Sequence, residues 1–427
     1  MRRVLTLALL VMGCHNPDLY ITLAANGPLP PIAQLHLAAT LDGKRQLRDI
    51  KHGDGRPVVV GDTFDVPLLP AGLRGTVELL IEAVDGGDTV LATGSASVNV
   101  DGDRQFPLRL TLSSWRDITP AWMQSGYSFG LNLWGSGPDD VYAVGQGLGK
   151  QPLLAHSRDG GNSWTAESLP CTSVCPTTLT GVWGSSASDV YAVGYSDTIA
   201  HSNGDGWTLL QIGATAATQP VLVTAWGSGA SNVYIVGAHG TIEHSSDGMS
   251  FTSTTATMGV DLQSLWGSGD TLFAVGDADT VVRSNDGGQT FKVTQTLTPA
   301  TSGLKNVWGR AIDDVFAVGC NGTSGSSGDC AGDGFIQHFD GSSWTTIYAV
   351  PGPTGLYGDW GSGAGELYAV GQSCTILHSI DGGQTWRSQS CSRSDVVLSA
   401  VWGNGSVVYA FGNAGTNAVM PVLLRLP

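Results

Sequence analysis

The side chains able to recognise or transform a ligand are few in this chain, and they sit mainly in connecting stretches. Tyr195, Asp197, His239, Asp277, Asp279, Tyr357 and Asp359 offer carboxylates, an imidazole and phenols, the groups from which a recognition site or an acid–base pair is built. Glycoside hydrolysis needs two facing carboxyls, and most acidic residues here recur at fixed repeat positions instead, so no catalytic residue is assigned. His156, His201, His244, His338 and His378 stand at equivalent places in successive repeats, with Arg283 in another copy. Residues so distributed cannot converge on one metal, and neither a metal nor a cofactor is expected. Cys171, Cys175, Cys320, Cys330, Cys374 and Cys391 form no Cys-x-x-Cys or Cys/His cluster of the zinc type. An even number in an exported chain reads as local disulfides, 171 with 175, 320 with 330, and 374 with 391.

The elements that position these residues are announced by a repeat. Leu133-Trp134-Gly135-Ser136-Gly137-Pro138-Asp139-Asp140-Val141-Tyr142-Ala143-Val144-Gly145 returns, in degenerate form, at Trp183, Trp226, Trp266, Trp308, Trp360 and Trp402, at intervals of 40 to 52 residues. Strand-like repeats of that period predict a β-propeller. Seven copies predict seven four-stranded blades over residues 113–427. In the second, strands are expected at 179–184, 189–194 and 198–202, with a fourth from Trp207. The last copy ends at Pro427 without a fourth strand. Ser113-Ser114-Trp115-Arg116-Asp117-Ile118, which resembles Ser342-Ser343-Trp344-Thr345-Thr346-Ile347, is expected to supply it and close the ring.

Loop lengths then separate two faces. The A–B and C–D turns are nearly constant, whereas the B–C and D–A connections carry the insertions 169–178, 213–221, 320–334 and 350–357 and all six cysteines. Recognition is expected on that long-loop face, with the seven residues above as candidate contacts near the mouth of the central channel. For each, a solvated loop residue is the competing reading. His239 is the one propeller histidine outside the repeat series.

Composition agrees with an all-β chain: Gly 60, only 13% charged residues, and no sustained 3.6-residue periodicity. With 36 carboxylates against 20 lysines and arginines the net charge is −16, which argues against nucleic acid and against charge-driven adhesion to anionic lipid. Before the repeats, residues 18–112 show apolar runs at 19–24, 35–41, 57–66, 77–83, 90–100 and 106–112 separated by turn signals, which predicts a β-sandwich of immunoglobulin-like or transthyretin-like type.

Residues 1–14 read as a processing signal, with Arg2 and Arg3 before an apolar run too short to span a bilayer. Leu10-Val11-Met12-Gly13-Cys14 resembles the lipobox of bacterial lipoproteins. That resemblance implies lipidation of Cys14 and anchoring in the cell envelope, here the outer membrane of a Gram-negative bacterium, with contact to the membrane through the anchor alone.

A second motif lies between strands C and D: Ser157-Arg158-Asp159-Gly160-Gly161-Asn162-Ser163-Trp164, Ser284-Asn285-Asp286-Gly287-Gly288-Gln289-Thr290-Phe291 and Ser379-Ile380-Asp381-Gly382-Gly383-Gln384-Thr385-Trp386. These resemble the Asp-box (BNR) hairpins of sialidase-type propellers, with weaker copies at 202–207, 245–251 and 339–344. Sialidases use an arginine triad and a tyrosine–glutamate pair. Here Arg158, Arg283, Arg387 and Arg425 fall beside the C–D turns and Arg310 in an A–B turn, away from the long-loop face. The chain also resembles photosystem-assembly-factor-like repeat propellers, which scaffold or bind partners. The expectation is a non-enzymatic binding or scaffold protein for a protein or glycan, with a glycoside hydrolase as the alternative.

Overall fold

A computed structural model describes residues 18–67, 74–101, 106–147, 149, 151–171, 176–210, 220–256, 259–295, 302–324, 329–363, 365–389, 391, 393–415 and 419–426. Cys14 and its leader lie outside these residues. The chain divides into two units between Ser113 and Ser114.

The first unit holds β1 (Asp18–Ala25), β2 (Gln34–Leu41), β3 (Lys44–Ile50), β4 (Thr63–Pro67), β5 (Arg74–Val84), β6 (Val90–Asp101) and β7 (Phe106–Leu112). They form two sheets, β4-β1-β7 and β3-β2-β5-β6, with β1 and β7 parallel. Leu19, Ile21 and Leu23 of β1 share one core with Leu35 and Leu37 of β2 and Leu79 and Ile81 of β5. Alternation placed most of these strands. Strand β3 was not expected, because Lys-Arg-Gln-Leu-Arg-Asp-Ile has no apolar face; it is an exposed sheet edge, where charge discourages further pairing. The run 57–66 is only partly strand, since Pro57–Val60 joins the fold through a single bridge, Ile32 to Val58.

Seven four-stranded antiparallel sheets make up the second unit among the described residues. Strands A of sheets 1 to 7 are Tyr127–Gly135, Leu179–Ser186, Leu222–Gly229, Leu262–Ser268, Ser302–Ala311, Leu356–Gly361 and Val396–Gly403. Strands B are Val141–Gly147, Asp189–Gly194, Asn232–Gly237, Thr271–Gly276, Asp314–Asn321, Leu367–Gly371 and Val408–Ala414. In sheet 7 the strand outside Met420–Leu426 is Arg116–Asp117, paired through Leu424 with Asp117 and Arg425 with Arg116. A six-residue helix, Ala121–Gly126, follows it. It carries Trp122, which the repeat pattern left without a place; its indole N–H donates to the carbonyl of Trp164.

The repeat motif encodes how sheets stack. Each Trp lies directly opposite the aromatic of its own strand B and stacks on it at 6.2–6.5 Å, from Trp134 on Tyr142 to Trp402 on Tyr409. The same Trp covers the glycine after the next Trp. A Cβ on Gly184 would come 2.7 Å from the Trp134 ring, and one on Gly135 2.6 Å from that of Trp402. The strand-D aromatic then packs edge-on against the previous sheet: Trp207 on Tyr142, Phe251 on Tyr191, Trp344 on Phe273, and Trp115 on Tyr368. Such pairs add about 0.5–1.5 kcal/mol each beyond burial.

The glycine ending Val-Tyr-Ala-Val-Gly has another cause. Strand A bulges opposite it, so that the register skips Leu131, Thr180, Val223, Gln263, Lys305, Tyr357 or Ser399 in the successive sheets. The bulge drives a carbonyl at the start of strand A onto that glycine, so that a Cβ on Gly194 would sit 2.1 Å from the oxygen of Thr178, the residue just before the strand.

Candidate functional site

Four B–C turns on the long-loop face run through consecutive residues with positive φ: Ser196 and Asp197 (60° and 58°), His239 and Gly240 (58° and 75°), Ala278 and Asp279 (57° and 49°), Ser373 and Cys374 (53° and 54°). These are the dihedrals of a two-residue I′ hairpin, which twists with the strands but disfavours side chains. Only one of the eight positions is glycine. Left-handed non-glycine residues cost on the order of 1–3 kcal/mol each and gather where surrounding structure fixes them.

Tyr195 and His239 are exposed there, and the His239 N–H donates to Asp261 Oδ1 at 2.7 Å. Asp277 is half-buried, 3.6 Å from the Lys305 ammonium and 3.4 Å from the Gln263 amide. Lys305 and Gln263 are both strand-A bulge residues, turned out of the ladder at the inner strands. Tyr357 is a third: its hydroxyl accepts from the Cys330 N–H and the Gln372 amide, each at 3.2 Å.

Asp197, Asp279 and Asp359 differ, because each has a buried carboxylate oxygen without a hydrogen-bond partner among the described residues. Burial raises the pKa of all three above the usual carboxylate range, that of Asp359 well above it. Asp359 occupies a position held by Leu133, Val182, Ala225, Leu265, Val307 and Val401 in the other sheets. It ends a hydrogen-bonded line across three sheets: Ser264 Oγ donates to Asn306 Oδ1 at 2.6 Å, and Asn306 Nδ2 donates to Asp359 Oδ1 at 2.8 Å. Tyr195, Asp197 and His239 thus stand on sheets 2 and 3, Asp277 and Asp279 on sheet 4, and Tyr357 and Asp359 on sheet 6. The described contacts join Asp277 to sheet 5 but do not bring the seven into one cluster.

Between described residues two disulfides brace the loops, Cys320–Cys330 in sheet 5 and Cys374–Cys391 in sheet 6. Cys175 lies outside the described residues. Gln372, which sequence reasoning passed over, links the two braces: its amide donates to the Cys330 carbonyl at 3.0 Å, and its oxygen accepts from Gly355 N–H at 2.9 Å. The short run before Cys374 was its only signal.

The opposite half is occupied by structural chemistry. Five imidazoles stack on strand-B rings at 3.7–4.5 Å. Arg283 lies over Phe273 at 5.0 Å in sheet 4. His156 is held on both nitrogens, by Asp140 at 2.6 Å and Glu167 at 2.9 Å; although burial opposes it, these bonds raise its pKa. Glu167 also accepts from the Trp207 indole of sheet 2 at 2.6 Å and is lowered to about 2 by these partners against the burial that opposes ionisation. In the C–D turns Ser157, Ser284 and Ser379 each accept the N–H four residues on at 2.8–2.9 Å, and the Asp two residues after the Ser accepts from the Ser or Thr hydroxyl immediately before the aromatic.

Among the described residues no group of three or more His, Cys, Asp or Glu could hold a metal, and no helix is long and apolar enough to cross a membrane. The arrangement offers a rigid rim of short strained turns and braced loops bearing carboxylates, phenols, one imidazole and one lysine, suited to hydrogen-bonded and ionic recognition.

No family model and no curated protein sequence matches the chain. Solved structures do. YCF48 bound to D1 peptide is 15% identical with a TM-score of 0.54, over 73% of this chain and 94% of that one. YCF48 from Cyanidioschyzon merolae is likewise 15% identical with a TM-score of 0.54, over 73% and 98%. The WD40 repeats of RRP9 are 8% identical with a TM-score of 0.55, over 74% and 97%. At these identities the likeness carries the fold alone: an all-β chain with a β-propeller.

Proposed function

We propose that this chain is a non-enzymatic binding or scaffold protein of the bacterial cell envelope, anchored through a lipid on Cys14. In this reading seven Asp-box-type blades form a ring closed by Arg116–Asp117, and the preceding unit is a β-sandwich spacer. The long-loop face recognises a protein or glycan. The observation that carries the reading is the asymmetry between faces. The C–D turns are filled by their own Ser–Asp–Thr bonds, whereas the long-loop rim combines disulfide bracing with strained turns and exposed Tyr195 and His239. A propeller of the same fold, YCF48, has been solved with a peptide bound, which fits a protein partner.

The glycoside hydrolase alternative would need two facing, solvent-reached carboxyls. Asp277 is turned to Lys305, and Asp359 is buried against Asn306, so no observation favours it. Capture from envelope extract and from a glycan array, beside a panel of fluorogenic glycosides, tests the proposal. Specific capture lost on shortening 322–329 is expected. Turnover abolished by Asp277→Asn would overturn it.

A further inference from the structure

Glu243 is almost completely buried on strand Thr241–Ser245 of sheet 3, with its Oε2 unpartnered among the described residues. The corresponding positions opposite the strand-B alanine hold Ala155, Ala200, Val282, Gln337, Leu377 and Leu424, so this is the one carboxylate in the series. The charged neighbour that acts on it is Asp197, from the B–C turn of sheet 2, whose own Oδ1 is buried and unpartnered. Two carboxyls from adjacent sheets, each with a buried oxygen that lacks a partner, are therefore within electrostatic reach, and no cation among the described residues acts on either.

The sequence makes that lack general. Between Arg158 and Arg283 there is no lysine or arginine, so sheets 2 and 3 contain none. The groups that titrate around the junction are few. His201 faces the other way, onto Asp189 and Tyr191, and His244 onto Asn232 and Tyr234. His239 and Tyr195 are exposed in the turns, and the connection 211–219 contains no ionisable residue. From the neighbouring strand Thr252–Thr255, Ser253 offers Glu243 only a hydroxyl.

The repeat supplies an internal comparison. The second turn residue of one sheet and the mid-strand residue of the next match in polarity: Gly240 with Val282, Cys374 with Leu424, Asp279 with Gln337. Cys374 and Leu424 share one apolar cluster, and Gln295 bonds both the Asp279 carbonyl and the Gln337 side chain. The backbone of Asp279 is thus tied through Gln295 to an amide at the position that Glu243 occupies in the sheet after Asp197.

We propose that Asp197 and Glu243 jointly retain a proton, making the junction of sheets 2 and 3 a pH-sensitive seam in the long-loop face. Two ionised carboxylates cannot share an uncompensated buried site, so one keeps its proton or the site admits water. The proton is lost to solvent as pH rises, and the turn bearing Tyr195 loosens. Both acids have folded pKa values shifted upward, chiefly by burial. A raised carboxyl stabilises the fold fully below its unfolded value, and that contribution disappears as pH rises through the folded one.

Hydrogen exchange on the full chain, expressed as protection factors so that intrinsic rates cancel, reads the seam directly. Protection at 198–202 and 241–245 is expected to fall by about tenfold or more between about pH 5.5 and about pH 8.5. Glu243→Gln should flatten the profile, and Gln337→Glu should steepen it at 280–284 and 334–339, where Asp279 is the buried acid in the wild type. A wild-type profile at the seam indistinguishable from that of Glu243→Gln, or a profile in folded Gln337→Glu protein no steeper than that of the wild type, would overturn the proposal. This test is independent of any ligand, so its failure leaves the recognition reading untouched.

Discussion

Trp402 covers Gly135 as Trp134 covers Gly184, although 267 residues separate the first pair and 50 the second (402 − 135 and 184 − 134). Adding a methyl at either glycine puts a carbon 2.6–2.7 Å from an indole that is already stacked on strand B. Overpacking of this kind costs about 1–3 kcal/mol. Gly135→Ala and Gly184→Ala should therefore lower the urea midpoint by similar amounts. A neutral Gly135→Ala beside a damaging Gly184→Ala would show that the first and last sheets are not joined in solution.

The His156 cluster gives a signed pH dependence. The imidazole, raised from 6.5, stabilises the fold fully below that value and loses its contribution as pH rises through the higher folded one. Glu167, lowered from 4.5 to about 2, contributes above 4.5 and loses it as pH falls toward 2. The two overlap between 4.5 and 6.5. The stability lost on His156→Gln should therefore be largest in that window and smaller at pH 3 and pH 9, measured by urea denaturation.

Asp359 behaves oppositely to an ordinary surface acid. Its burial keeps the carboxyl protonated well above 3.8, so folding takes up a proton and the native state weakens as pH rises from that value. Asp359→Asn preserves an acceptor for Asn306 and removes the titration. Melting temperatures of wild type and variant should agree near pH 4, with the variant higher at pH 8. Equal temperatures at both values would contradict the burial argument.

Much of this was legible beforehand because one sequence repeats it seven times. Strands A to C of the second sheet were placed to within two residues, and Trp115 before Arg116–Asp117 was assigned to the last sheet by its match to Trp344. Strand β3 escaped because an exposed edge has no apolar alternation to read. Gln372, Lys305 and Glu243 escaped for another reason. Their roles depend on neighbours from the preceding sheet, which spacing within one repeat does not report. Asp359 and Glu243 could have been singled out by aligning the repeats, since each puts a carboxylate where most copies are apolar.

The braces on sheets 5 and 6 should matter for both stability and capture. Closing a loop of 10 residues is worth about 2–3 kcal/mol. Cys320→Ser combined with Cys330→Ser should lower the denaturation midpoint correspondingly. Because Gln372 bonds the Cys330 carbonyl, exchange at 372–374 should rise with it. Exchange confined to 320–334 would show the two braces to be uncoupled.

Recognition through the long-loop face is the central claim, and a hydrogen-exchange footprint of the protein with a captured partner or glycan measures it directly. Protection is expected at the turns Tyr195–Thr198, Ala238–Gly240 and Gln372–Cys374, with the C–D turns at 157–164, 284–291 and 379–386 unchanged. Protection of the C–D turns with the long-loop turns unchanged would contradict the account.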